Sequence, residues 1–443
     1  MNYVADFETH VPSKDLLDRL DRKKYPKNYL RKEDLKTWVW GYGLCEVGDV
    51  EDDKIKVGNN IDSFMKEVMK LKNPKIYFHN LKFDGHFILS WAFKNGYKFD
   101  FEGTKESKTI NVLISNMNAF YKIELIHRKR NKGYVKTTFY DSLKKLPFSV
   151  DKIGDAFNLD YLKVKVDEEF YLRYRDENHV LTDEEIMYIK NDVRVMSQAL
   201  QIQFNQGLTK MTNGSDALAD YKDTIGKMFK HWFPVLDLEL NSMILSAYRG
   251  GWTYASDLFK GKEVANGLVF DVNSLYPSVM YSKKMPYGEP LFFEGKYQED
   301  KEYDLYIQEF SCEFKLKENK LPTIQVKGHT NRYPANEYLK ESIGETTLYL
   351  TNVDLKLFFD HYDVYNIDWK CGLKFRSKND MFKDYIDKWA EIKENSVGAI
   401  RELAKLMLNS LYGKFGTKPC REERLINFED DLFSTSNKNL YCC

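Results

Sequence analysis

The apolar pattern of the chain changes period from one stretch to the next. Asn2-Tyr3-Val4-Ala5-Asp6-Phe7-Glu8-Thr9 reads as a strand, and its period of two puts Asp6 and Glu8 on one face. Ile76-Tyr77-Phe78 reads as a second strand. It runs through a loop into an apolar helix with Phe87, Ile88 and Leu89, and Asp84 falls in that helix's first turn. Further on the period becomes helical. Thr182 and Glu185 make a capping box, Ile186, Ile189, Val193, Met196 and Leu200 form a core stripe, and Tyr188 and Asp192 share a face. Residues 209–240 read as largely helical, with turn residues at Asn213-Gly214. The short apolar run Leu268-Val269-Phe270 is predicted to be a buried strand that delivers Asp271 and then breaks, with Pro277 in the first turn of a helix. Leu321 to Lys327 and Thr347 to Asn352 are strand-rich. The longest helical pattern runs from Val397 to Phe415 and stops at Gly413 and Gly416. Ile400, Leu403, Met407 and Leu411 face the core, while Arg401, Lys405, Asn409 and Tyr412 share another face.

With 443 residues, 43% of them hydrophobic, the chain can bury a large core in two or three domains. Lys+Arg 67 balance Asp+Glu 67, so bulk charge gives no nucleic-acid signal and any basic groove must be local. The aromatic share of 15% suits base-stacking surfaces and a packed core equally. The six cysteines make no Cys-x-x-Cys pair and no Cys/His cluster, which points to free thiols in a reducing cytoplasm. No apolar run approaches a membrane span, the first residues read as a strand rather than a signal sequence, and no membrane-directing segment accompanies Cys442-Cys443.

Candidate chemistry concentrates in the acids. Asp6 and Glu8 on one face repel unless a cation lies between them, so they are metal ligands or a solvent-facing acidic strand. Asp84 is either a third metal-site acid or a charge placed for the helix dipole. Asp192 is a fourth acid beside a water-orienting Tyr188, or a surface acid beside a half-buried ring. Asp271 at a strand end beside a helix N-terminus suits a triphosphate, the acid holding metal and the free N–H groups holding phosphate oxygens. Arg401, Lys405, Asn409 and Tyr412 form a stripe along which a triphosphate and base could lie. In Tyr248-Arg249-Gly250-Gly251, glycine permits close backbone approach, arginine binds phosphate and aromatics stack; an ordinary loop explains it as well. His127 to Gly133 is a basic hairpin tip, solvated or in contact with phosphate.

In this order, Asp6, Glu8, Asp84 and Asp192 with Tyr188 resemble the DEDDy 3′–5′ exonucleases, which hydrolyse phosphodiesters with two metals. Tyr248-Arg249-Gly250-Gly251, then Ser274-Leu275-Tyr276-Pro277-Ser278, then Lys405 to Gly416 resemble the motifs of family B DNA polymerases. The stretch between the last two is similar to that of the protein-primed phage members. The resemblance spans residues 1–416. It implies an α/β ribonuclease H-like exonuclease domain followed by an α+β palm and fingers polymerase domain. The implied layout is exonuclease 1–208, connecting segment 209–260, first part of the palm 261–325, strand-rich insertion 326–380, fingers helices 381–416 and a divergent tail 417–443. It implies Mg2+ or Mn2+, two ions per active site. The implied partners are template-primer and single-stranded DNA, deoxynucleoside triphosphates and a terminal (priming) protein, in the host bacterial cytoplasm.

By the same match Asp6, Glu8, Asp84 and Asp192 hold metal, Tyr188 orients water and Lys163 is a catalytic-site lysine. Thr9, His79, Asn80, Phe83, Ser142 and Leu143 contact the single strand, and Tyr248, Arg249, Gly250 and Gly251 contact template. Asp271 and Val272 belong to the palm metal site, and Tyr276 lies under the incoming sugar. Lys393, Arg401 and Lys405 hold the triphosphate, and Asn409 and Tyr412 shape the nascent pair.

One departure stands out. Members of the family carry a second palm acid in Tyr-x-Asp-Thr-Asp-Ser, and no Asp-Thr-Asp occurs here; Asp430-Asp431 lacks the flanking pattern and reads as a solvated loop. The thumb's lysine-tyrosine contact is missing too. The expectation is an incomplete palm with exposed apolar surface and no primer extension by this chain alone. A truncated or frameshifted gene, a second polypeptide carrying the missing palm and thumb, or a fragmentary gene prediction would each account for it. Two other classes stay open: a stand-alone single-strand exonuclease with a vestigial polymerase half, and a non-catalytic fragment that binds DNA or priming protein.

Overall fold

The computed structural model describes residues 1–10, 37–101, 103–131, 133–176, 178–326, 337–417, 421–429 and 432–440. Lys132, Lys327, Cys420, Asp430, Asp431, Cys442 and Cys443, on which sequence expectations fell, lie outside them. The backbone divides into two compact units, Met1–Ala219 with Trp389–Cys443, and Asp220–Lys388.

The first unit is built on one mixed sheet. Its strands are β1 (Asn2–Thr9), β2 (Val39–Glu46), β3 (Lys56–Gly58), β4 (Lys75–Phe78), β5 (Lys98–Phe99), β6 (Thr109–Ile114), β7 (Phe120–Lys129) and β8 (Tyr134–Asp141). They lie in the order β3-β2-β1-β4-β8-β7-β6-β5, with β1, β4 and β8 parallel at the centre. The helices α1 (Ile61–Lys70), α2 (Leu81–Lys94), α3 (Val150–Phe157), α4 (Glu168–Leu172) and α5 (Asp183–Asn205) complete the α/β arrangement. Alternation along β1 decides what each face does. Ala5 and Phe7 turn into the main core, where the Phe7 ring meets Phe64 and Phe78 at 4.8 Å each. Burying a side chain of that size contributes about 1.5–3 kcal/mol. Asp6 and Glu8 turn the other way, toward α5.

Two glycines let α5 come close. Gly41 and Gly43 on β2 stand directly across from Glu8 and Asp6. A Cβ on Gly41 would lie 2.9 Å from Ile189 Cδ1, and one on Gly43 2.9 Å from Val193 Cγ1. Any side chain there would push the helix away from the acids. The start of α5 carries the capping box read from the sequence, with Thr182 and Glu185 bonding reciprocally, and Ile189, Val193, Met196 and Leu200 are buried.

The chain enters the second unit within α6 (Asn213–Ile225) and continues through α7 (Met228–Trp232), α8 (Leu238–Ala247) and α9 (Leu275–Ser282). A four-stranded sheet follows, in the order β11-β10-β12-β9, from β9 (Met285–Glu294), β10 (Leu305–Leu316), β11 (Thr346–Thr351) and β12 (Tyr362–Lys378). The helix α10 (Asn352–His361) lies on it, over a core of Phe310, Phe314, Leu348, Leu350 and Phe358. The chain leaves within α11 (Lys383–Asn395). It ends in the first unit with α12 (Gly398–Phe415) and a hairpin of β13 (Arg421–Glu429) and β14 (Leu432–Leu440). The helix α12 packs on α3 and α5, burying Leu403, Ala404, Met407, Leu408 and Leu411.

Three expectations need correcting. Leu268-Val269-Phe270 is not a buried strand: the segment is irregular, and its residues are 85%, 98% and 86% exposed. A strand needs a neighbour for its backbone groups, and among the described residues none pairs with it. Leu321 to Val326 is likewise outside any strand, although Ile324 and Val326 are buried. The strand-rich part begins at Met285, and β10 joins strands from both sides of the line drawn at 325/326. Among the described residues no helix is long and apolar enough to cross a membrane, and Cys45, Cys312 and Cys371 are free thiols.

Candidate active site

Two elements converge on one point of the first unit. β1 presents Asp6 and Glu8, α5 presents Asp192, and ligand oxygens of the three acids lie within 4.8 Å of one another. Asp84, in the first turn of α2, is 3% exposed and close enough for its charge to bear on Asp6 and Glu8. Burial, then the Asp192 charge, push the Asp6 carboxyl up to about 7. Burial followed by the Asp6 charge holds Glu8 and Asp84 well above the usual carboxylate range, and burial raises Asp192. Like charges so placed oppose one another until a cation joins them. Among the described residues the cation there is Lys163, whose Nζ donates to Asp192 Oδ2 at 2.9 Å. Burial lowers the affinity of Lys163 for its proton, but the charges of Asp192 and Asp6 outweigh that and hold the ammonium form. The other oxygen of Asp192, Oδ1, is buried with no hydrogen-bond partner. An all-carboxylate donor set with an unused buried oxygen fits hard divalent cations such as Mg2+ or Mn2+.

The surroundings fix these groups. Tyr188, one turn before Asp192 on α5, is 2% exposed; its hydroxyl lies 3.1 Å from that of Tyr171, and Lys163 Nζ sits 5.6 Å from its ring centroid. Burial first, then the charges of Glu8 and Asp192, keep the Tyr188 phenol protonated far into the alkaline range. In the first turn of α5, Glu185 binds Arg175 Nε and His179 Nε2 at 2.5 and 2.7 Å, and the Arg175 guanidinium lies 4.1 Å from the Trp40 ring centroid. Burial raises Glu185, but the Thr182 N–H, Arg175 and His179 outweigh it and hold the carboxyl at about 2.

Asp141, at the end of β8, organises the other side. Its Oδ1 accepts the N–H groups of Asn80, Leu81 and Leu143 at 3.1, 3.3 and 3.0 Å, setting the start of α2 and the Ser142–Lys144 turn together. Asn80 takes a left-handed conformation, φ 71°, and its side chain makes no capping bond. Phe83 is exposed at 52%, Leu143 is half-buried, and Thr9 closes β1. His79 and Ser142 are spent internally: the His79 ring nitrogens meet Ser142 Oγ at 3.1 Å and Phe148 O at 2.7 Å, and Ser142 Oγ donates to Phe78 O. Lys145, fully buried, donates to Asp216 and to the carbonyls of Leu208 and Lys210, tying this turn to the start of α6.

The remaining sequence candidates are not part of this cluster. Asp271 and Val272 stand exposed on the irregular segment before α9. Tyr276 lies in the first turn of α9, and a Cβ on Gly251 would meet its hydroxyl at 3.1 Å. Arg249 turns back on its own backbone, Nη1 donating to Ser246 O at 2.7 Å, while Tyr248 and Gly250 are exposed. On α12, in the other unit, Arg401, Lys405 and Asn409 are exposed and Tyr412 is half-buried. Arg401 Nη1 donates to Lys393 O at 2.6 Å, and Lys405 Nζ is 3.7 Å from Glu402. Sequence reasoning missed Gly41, Gly43, Asp141, Tyr171 and Arg175. A Gly-x-Gly inside an otherwise apolar strand signals the first two; nothing in the spacing signals the rest.

Known proteins resemble the chain over most of its length. The family model for DNA polymerase type B, organellar and viral, matches residues 65–442. The DNA polymerase of Bacillus phage phi29 is 48% identical over 408 residues, 91% of this chain and 69% of that protein. The DNA polymerase of Streptococcus phage Cp-1 is 32% identical over 416 residues, 89% and 69% of the two chains. Among solved structures, phi29 DNA polymerase complexed with single-stranded DNA superposes with a TM-score of 0.85 at 43% identity, covering 99% of this chain and 72% of that one. Its ternary complex with primer-template DNA and incoming nucleotides gives 0.83 at 44% identity, over 99% and 73%.

Proposed function

The chain belongs to the organellar and viral DNA polymerases of type B and is a DNA-directed DNA polymerase of their protein-primed class, and we propose that its first unit is the proofreading 3′–5′ exonuclease. The observation that carries this reading is the meeting of Asp6, Glu8 and Asp192 within 4.8 Å, with buried Asp84 beside them. In such a site two divalent ions supply activation of the attacking water and stabilisation of the leaving oxygen. Asp6, Glu8, Asp84 and Asp192 would hold them. Lys163 fixes one oxygen of Asp192 and leaves the other unused. Tyr188 stays protonated and can donate a hydrogen bond to a water at the acids. Asn80, Phe83 and Leu143, set by Asp141, would seat the single-stranded 3′ end, with Thr9 at the strand edge. His79 and Ser142 would act by holding that wall.

For polymerisation, Asp271 and Val272 would contribute to the palm metal site and Tyr276 would lie under the incoming sugar. Lys393, Arg401 and Lys405 would hold the triphosphate, Asn409 and Tyr412 would flank the base pair, and Tyr248 to Gly251 would follow the template. DNA and deoxynucleoside triphosphates are the proposed ligands, and a priming protein is the proposed partner of the strand-rich part of the second unit. The test is degradation of a 5′-labelled single-stranded oligonucleotide with Mg2+. Asp6→Ala with Glu8→Ala is expected to abolish it at unchanged melting temperature, and unchanged degradation overturns the assignment. A polypeptide of these 443 residues is expected not to extend a primed template on its own, because Asp271 is exposed and, among the described residues, joins no group of three acids that could hold a metal; robust extension refutes that.

A further inference from the structure

An aromatic corner next to the acids is left unused by the reading above. Just past the end of β1, beyond a register irregularity at Glu8 and Thr9, His10 N donates to Trp38 O at 2.9 Å. His10 follows Glu8 by two residues in the chain, and its partner residue Trp38 packs against the cluster that holds Tyr188. Its imidazole is stacked on the Trp38 indole, with centroids 4.1 Å apart and planes 8° apart. Tyr174 stands edge-on to both, at 5.5 Å from His10 and 6.0 Å from Trp38.

The corner is braced from behind. The indole N–H of Trp38 donates to Arg175 O at 2.8 Å, and Arg175 is itself held by Glu185. The Trp38 ring packs against the cluster of Trp40, Phe170, Tyr188 and Ile189, so the platform shares its support with the tyrosine of the acid site. Its front is not core. Tyr174 is 71% exposed, and His10 and Trp38 are half-buried. Flat rings braced from behind, with Tyr174 exposed, and near the proposed phosphodiester site suit one occupant: a nucleobase, whose π-face stacks whatever its identity.

We propose that His10, Trp38 and Tyr174 form a stacking subsite for one base of the single strand whose phosphate lies at Asp6, Glu8 and Asp192. This rests on the exonuclease reading for its substrate but makes a separate claim. The subsite places the strand by base stacking, in addition to whatever phosphate and sugar contacts the acids and Asn80 make.

The experiment is an abasic scan. Fluorescein-labelled single-stranded oligonucleotides, each lacking one base at a successive position from the 3′ end, are titrated in EDTA and followed by anisotropy, so no cleavage intervenes. With the native chain, one position should lose about tenfold in affinity when its base is removed. His10→Ala with Tyr174→Ala should bind the intact oligonucleotide about tenfold more weakly and show no further loss at that position. Tyr174→Phe should keep the native profile, and oligonucleotide should quench tryptophan emission in the native chain but not in Trp38→Phe. Identical abasic profiles in the native chain and the double variant, with both folded by melting temperature, overturn the proposal. A profile that follows the prediction in a chain without Mg2+-dependent degradation would instead overturn the exonuclease reading and leave the subsite standing.

Discussion

Asp6 and Asp271 each follow a short apolar run with strand-like sequence, yet they stand in opposite circumstances. Asp6 sits on a strand hydrogen-bonded on both sides, by β2 and β4, with α5 closing over it. Asp271 follows three apolar residues that no strand pairs among the described residues and that stand almost fully exposed. The local sequences are equally strand-like. The difference is made by residues far away, which supply or fail to supply backbone partners. An acid is positioned for chemistry by its neighbours' ladders more than by its own flanks.

Four experiments test that contrast, from the largest expected effect to the smallest. Asp6→Ala with Glu8→Ala should cut single-strand degradation by about 10³-fold or more, while Asp271→Ala leaves it unchanged. Equal losses in the two variants would erase the distinction. Glu185→Gln should cost about 3 kcal/mol near neutral pH, because it leaves Arg175 buried without its charge partner. Its pH dependence follows from a carboxyl held at about 2 against an ordinary value of 4.5. The contribution is full above 4.5 and is lost as pH falls toward 2, so the gap in melting temperature between native and variant should close over that window.

Gly43→Val should destabilise by about 1–3 kcal/mol and reduce degradation, since its side chain meets Val193 and Ile189 on the helix that carries Asp192. Full activity would mean that α5 can retreat without moving the acid. The smallest effect is expected at Phe270. Phe270→Ser should change stability by less than about 0.5 kcal/mol, whereas Phe78→Ala, at the end of β4, should cost about 3–5 kcal/mol. Urea unfolding of the pair measures both, and a large loss at Phe270 would mean that the segment is buried after all.

What could be read from the sequence was whatever a local period encodes. The shared face of Asp6 and Glu8, the capping box at Thr182 and Glu185, the place of Asp84 in a first turn and the two faces of the helix from Gly398 to Phe415 all follow from spacing within one element. Pairing could not be read. Leu268 to Phe270 and Leu321 to Val326 have strand composition, but a strand exists only where another lies beside it. Links across long separations were equally hidden. Asp141 sets two turns 60 residues apart, through Leu81, and Arg175 becomes a buried cation only because Glu185 comes to it.

The paired glycines of β2 carry one more implication. In the proposed exonuclease, phosphodiester cleavage would depend on how near Asp192 comes to Asp6 and Glu8, and that separation is set by two positions holding nothing but hydrogen. The reach of the centre is thus specified on a strand that supplies none of its ligands. Drift at positions 41 and 43 would be tolerated only in step with trimming at 189 and 193, so these four sites, some 150 residues apart, should evolve as a single unit of shape.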